Sequence, residues 1–96
     1  MKKMIKNQMV IEIKIHTKRY SNGQLGVFVQ EYDGEPIAEL SIMNNSIELD
    51  SNEFILKDYS ENIEIAREYI ESQKIVPTNR FVLIGAHLCP ICKIES

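Results

Sequence analysis

Between residues 9 and 16 apolar and polar side chains alternate without a break. Ile11, Ile13 and Ile15 fall on one side, and Glu12, Lys14 and His16 on the other. A period of two built from β-branched residues is the pattern of a strand buried on one face. The Ser-Asn-Gly string before residue 24 predicts a turn. A second alternation over residues 25–32 places Leu25, Val27 and Val29 together and Phe28, Gln30 and Tyr32 opposite them. Asp33-Gly34 follows at once, a hairpin signal because both residues tolerate positive φ. Residues 37–43 continue the rhythm through Ala38, Leu40 and Ile42. Together these three segments predict an antiparallel meander.

Asn44-Asn45-Ser46 ends that rhythm, and residues 52–57 predict a short strand. The period then changes. Ile63, Ile65, Ala66, Tyr69 and Ile70 recur at helical spacing, so a helix is predicted over residues 61–74. Ser60 stands where a hydroxyl can accept from a free backbone N–H of the first turn, with Glu61 and Glu64 near the positive end. Pro77 is read as the stop. Residues 80–84 give a further strand, Gly85 a bend or bulge, and residues 88–94 a last strand or edge segment. The expected fold is α+β. It has one antiparallel sheet of about five strands, opening with the three-stranded meander, and one α-helix packed on a face.

Composition fits this picture. The chain has 96 residues, 44% of them hydrophobic and 26% charged. That is one domain's worth of core, residues 1–96, with residues 1–8 expected as a partly ordered basic tail. No apolar run exceeds four residues, far short of a bilayer span, and no secretory h-region with a cleavage site is read. A cytoplasmic setting without membrane association is therefore expected. So small a domain buries a limited share of its surface, which makes a homodimer plausible.

Charge adds a gradient that the net value of −3 hides. Residues 1–19 hold six bases against Glu12, whereas residues 31–71 hold twelve acids against Lys57 and Arg67. If the acids share a face, they attract a positively charged partner and repel nucleic acid. On the predicted helix, Glu61, Glu64, Glu68 and Glu71 lie away from the apolar stripe, with Asp58 just before it. These five residues form the expected partner-binding face. Arg19, Tyr20 and Phe28 are the candidates for stacking on single-stranded nucleic acid, a reading that the acidic middle of the chain disfavours.

Candidate chemistry is sparse. His87-Leu88-Cys89-Pro90-Ile91-Cys92 contains a Cys-x-x-Cys, which can place two thiolates on one metal, with His87 and His16 as the nearest source of nitrogen ligands. Structural zinc sites usually carry two such pairs, and no second pair exists here. A redox Cys-x-x-Cys opens a helix, and only four residues follow Cys92. The alternative is that Cys89 and Cys92 are small apolar residues of a strand. Asp58 could serve as a base only if buried or paired, and Ser60 has neither a nucleophile-elbow context nor a neighbouring His. The scattered glycines form no phosphate loop. No catalytic residue and no cofactor is expected, and the chain is read as non-enzymatic.

Residues 52–62, NEFILKDYSEN, followed by IVPTNR at 75–80 and by Gly85 and Pro90, resemble a small domain-of-unknown-function family carried by plasmids, conjugative elements and phages of Gram-positive bacteria. Asn79 stands where that family favours Gly, and Asn also enters the left-handed region. Ala86 and His87 replace the family's Phe-Val, and Cys89 falls at a variable position. The resemblance implies a mobile-element accessory protein that binds a protein partner. An inhibitor of a host defence nuclease such as a CRISPR effector, that is an anti-CRISPR-like protein, is one form of this. The alternatives are a nucleic-acid-binding auxiliary and a zinc or thiol module at Cys89 and Cys92.

Overall fold

The structure, a computed structural model, describes residues 2–6 and 9–95. Eight strands form two four-stranded antiparallel sheets rather than one sheet of five. The N-terminal sheet runs in the order β1 (Lys2–Lys6), β2 (Met9–Arg19), β3 (Leu25–Glu31), β4 (Pro36–Glu39). The C-terminal sheet runs β5 (Ser41–Ile42), β6 (Glu53–Leu56), β8 (His87–Ile94), β7 (Ile75–Ile84). One helix, α1 (Ile63–Glu71), is preceded by a single 3₁₀ turn at Ser60–Asn62. The α+β class and the antiparallel pairing stand; the single sheet does not.

The reason lies at Leu40. The alternation over residues 37–43 is continuous in sequence, yet the chain changes sheets in its middle. Leu40 donates its N–H to the Val27 carbonyl of β3 at 2.9 Å, while its own carbonyl accepts from Lys57 N–H, just past β6, at 2.7 Å. One residue thus serves both sheets, and its fully buried side chain enters the core between them. Ser41 follows as a buried hydroxyl bonded to Val27 N–H at 2.8 Å, so the corner leaves no donor of β3 open there.

The first sheet takes in part of the N-terminal segment. Lys2–Lys6, expected within a basic tail, pairs antiparallel with β2, Met4 opposite Ile11. Residues 1, 7 and 8 of that expected tail lie outside the described residues. At the β3–β4 turn the expectation agrees with the structure: Gly34 takes φ 100° and donates to the Glu31 carbonyl at 2.8 Å.

α1 is shorter than predicted at both ends. Its first turns carry no side-chain cap, and Ser60, the expected cap, lies inside the 3₁₀ turn at φ 56°. Asn62 anchors this end instead. It is 1% exposed, and its amide donates to the carbonyls of Glu39 at 2.8 Å and Lys57 at 3.0 Å. At the other end Gln73 enters the left-handed region at φ 64°. Gln73 N–H then bonds Ile70 O and Lys74 N–H bonds Tyr69 O, each at 3.0 Å. That is a Schellman stop, four residues earlier in the chain than Pro77. Pro77 itself sits in β7, an outer strand where a missing N–H is tolerated.

Two apolar clusters result. The larger joins Val27 and Val29 of the N-terminal sheet to Phe54, Leu56, Ile75 and Cys92, under Ile65, Ala66 and Tyr69 of α1. The smaller lies on the opposite face of the C-terminal sheet, where Ile55, Cys89 and Ile91 are covered by half-buried Leu49 and Tyr59.

Candidate functional site

The Cys-x-x-Cys lies within β8, and that placement decides its chemistry. Residues three apart on a strand point to opposite faces. Cys89 belongs to the smaller cluster and Cys92 to the larger, so the sheet separates the two thiols. Both are free and buried. Burial, and secondarily the Asp58 carboxylate, pushes the Cys92 thiol up to about 12 and raises Cys89 as well. Thiolate ligands and redox nucleophiles require the reverse shift. His87 is exposed and stacks flat on Tyr59, with ring centroids 3.6 Å apart and planes 3° apart. His16 belongs to the other sheet, paired with Phe28. The four candidate ligands do not converge.

The aromatic candidates hold the structure together. Tyr20 donates to the Glu39 carboxylate and lies 2.7 Å from Ser41 Oγ, which ties the end of β2 to the β4–β5 corner. Burial first, and the Glu39 bond second, push the Tyr20 phenol up to about 12. Its ring meets Phe28 edge-on at 6.1 Å, and the Lys18 ammonium lies 4.7 Å from the Phe28 centroid. Phe28 in turn packs on Gly26, where a Cβ would come within 2.8 Å of the ring. These rings are engaged with their own neighbours instead of forming an open platform.

The acidic candidates do gather, in part. At 100° per residue, Glu64, Glu68 and Glu71 share one side of α1, with buried Ala66 opposite them and buried Tyr69 next to it, and all three are exposed. Arg67 is exposed beside them. Glu61 is also exposed but bridges Lys57 at 3.2 Å. Its own backbone N–H, and then Lys57, hold its carboxyl below the usual range. Asp58 is half-buried, its charge felt by both thiols. The central acidic stretch is nevertheless not one patch. Glu31, Asp33 and Glu35 form a separate cluster at the β3–β4 turn, with carboxylate oxygens within 4.8 Å of one another.

Two features escaped the sequence. A groove of about 810 Å³ runs between β2 and the C-terminal end of α1, floored by Ile13, Ile15, Ile94 and Tyr69 and flanked by Lys14 and Lys74. Glu53 is 3% exposed and bonded both to Arg80 and, at 3.0 Å, to Asp50 N–H. Arg80, then Asp50, hold its carboxyl below the usual range against the opposing effect of burial. This pair fastens β6 to β7 across β8 and points to structure, not catalysis. The sequence signal for it was an acid placed directly before the apolar run Phe54-Ile55-Leu56 in a predicted strand.

No helix among the described residues is long and apolar enough to cross a membrane. No family model, no curated protein and no solved structure matches the chain.

Proposed function

We propose that this chain is a non-catalytic binding module that recognises a protein partner through the outer face of α1. The observation that supports it is the exposed row Glu64, Glu68 and Glu71, set on a helix whose other side is buried in the larger cluster. A rigid helix presents these charges in a fixed array, and such an array favours a basic surface by steering encounter and setting register. Asp58 and Glu61 flank the row, with Glu61 weakened by Lys57. In its narrower form, which rests on the resemblance of residues 52–62 and 75–80, the partner is a host defence nuclease such as a CRISPR effector. Its nucleic-acid channel supplies the basic surface.

The test compares the wild-type chain with a triple variant, Glu64→Lys, Glu68→Lys and Glu71→Lys. A protein retained from host lysate by the first and lost by the second supports the reading, as does an association rate that falls more steeply with salt for the wild type. Equal retention by both removes α1 from recognition. For the narrower form, target-DNA cleavage by a guide-loaded CRISPR effector is followed with the chain added. Inhibition by the wild type and at least about tenfold weaker inhibition by the triple variant is the expected result. Unimpeded cleavage discards it.

A further inference from the structure

The two sheets expose four edge strands, β1, β4, β5 and β7. Exposed edges invite pairing with another chain, and proteins blunt them with lysines, prolines, bulges or brevity. β1 carries the exposed Lys3 at its second position. β4 has four residues and opens on Pro36; β5 has two. The first half of β7 is guarded as well. Pro77 offers no N–H, and Thr78 and Asn79 form a bulge in the pairing with β8, with Asn79 at φ 68° and Thr78 Oγ1 donating to the Ile91 carbonyl at 2.7 Å.

The second half of β7 has none of these devices. From Phe81 to Ile84 there is no charge, no proline and no bulge. In the register with β8, Phe81 lies opposite Pro90 and Leu83 opposite Leu88, so Phe81, Leu83 and Leu88 share one face. That face continues the one carrying Cys92, beyond the part α1 covers. The three side chains are 56, 66 and 63% exposed. An unguarded edge and a bare apolar face therefore coincide at one hairpin.

We infer that this edge pairs with the same edge of a second copy, making a twofold dimer with a continuous eight-stranded sheet. The side chains select the register. Placing Val82 against Val82 of the second copy sets Phe81 of each copy opposite Leu83 of the other, so both exposed residues gain an apolar cross-strand neighbour. Moving the axis to Leu83 would leave Phe81 facing Gly85, and moving it to Phe81 would leave Leu83 facing Asn79. The Val82 register also sets Arg80 opposite Ile84, and Arg80 is already paired with Glu53, so no like charges meet. A specific pairing of this kind has to bury about 1,000 Å² or more in total.

Sedimentation equilibrium of the full chain, in reducing buffer from about 1 µM to about 500 µM, tests it. The expected mass rises from one chain to two. Leu83→Lys, a lysine set on the edge, is expected to weaken the dimer at least about tenfold, whereas Leu83→Met keeps it. Circular dichroism checks that each variant is folded, and Leu88→Lys takes the place of Leu83→Lys if that variant is not. A single-chain mass throughout overturns the inference. So does growth beyond two chains, or a dimer undiminished in the folded lysine variants. Lysines at Glu64, Glu68 and Glu71 should leave the dimer intact, so its failure and that of the α1 reading are separable.

Discussion

Around β6 and the adjoining part of β8 the C-terminal sheet is buried on both faces, but under covers of different depth. One face looks into the space between the sheets, where Phe54, Leu56, Ile75 and Cys92 meet α1 and the N-terminal sheet. The other holds Ile55, Cys89 and Ile91 under little more than Leu49 and Tyr59, with His87 laid on the Tyr59 ring. A side chain in the first setting is confined by regular elements on both sides. In the second, the cover is a loop and a half-buried ring that can settle inward. Full burial of Phe54 and Ile55 alike conceals this difference, and truncation exposes it. Phe54→Ala should lower stability by about 3–5 kcal/mol, since rigid walls preserve the cavity. Ile55→Ala should fall near the low end of about 2–5 kcal/mol, because its cover collapses more readily. Urea unfolding of the two variants measures the contrast; because Phe54→Ala removes more buried carbon than Ile55→Ala, equal losses would mean that the cover over Ile55 is the stiffer one.

The deep cover depends on how α1 is attached. Asn62 is the attachment, with one amide serving the carbonyls of Glu39 at the end of β4 and Lys57 after β6. Asn62→Asp turns that donor into a carboxylate facing two carbonyl oxygens, which should destabilise by about 2–4 kcal/mol. Asn62→Ala, lacking the repulsion, should lose less. Thermal unfolding of the pair separates lost bonds from added repulsion.

How much of this was legible depended on whether a residue's role was local. The alternations of β2 and β3 and the Asp33-Gly34 turn follow from period and turn chemistry alone, and they stand in the structure. The separation of Cys89 from Cys92 was also legible: once residues 88–94 are a strand, a spacing of three puts the thiols on opposite faces. Leu40 was not legible, because a change of sheet in the middle of an unbroken alternation leaves no mark in the pattern. Nor was Asn62, since a buried asparagine and a surface one look alike in the string Asp58-Tyr59-Ser60-Glu61-Asn62. The acidic row on α1 was read from helical spacing. Its division from Glu31, Asp33 and Glu35 needed the tertiary structure.

At the margin of the shallow face, Glu53 should make stability depend on acid. Its carboxyl is held low in the fold by Arg80 and Asp50. A carboxyl with a depressed folded pKa contributes stability that is present above its unfolded value of about 4.3 and is lost as pH falls through the folded value. Glu53→Gln should therefore lower stability by about 1–2 kcal/mol at neutral pH, a figure reduced because Arg80 is half in solvent. The difference from wild type should shrink below about pH 4. Urea midpoints at neutral and acid pH give the comparison, and a gap that persists in acid would assign the loss to packing.

The smallest expected effect is a gain, and it concerns only the deep cover. Gln73 ends α1 in a left-handed conformation that a side chain with a Cβ adopts at some expense, and its two neighbouring bonds to Ile70 and Tyr69 require it to do so. Glycine removes that strain but adds freedom to the unfolded chain, and at a left-handed stop the first effect exceeds the second. Gln73→Gly should stabilise by about 0.5–1 kcal/mol. Because α1 covers only the larger cluster, amide exchange should slow at Ala66 and Tyr69 in that variant. If local opening beneath the shallow cover is independent, exchange on β8 near Cys89 should change less. Equal slowing on both would join the two faces into one unit that opens only as a whole.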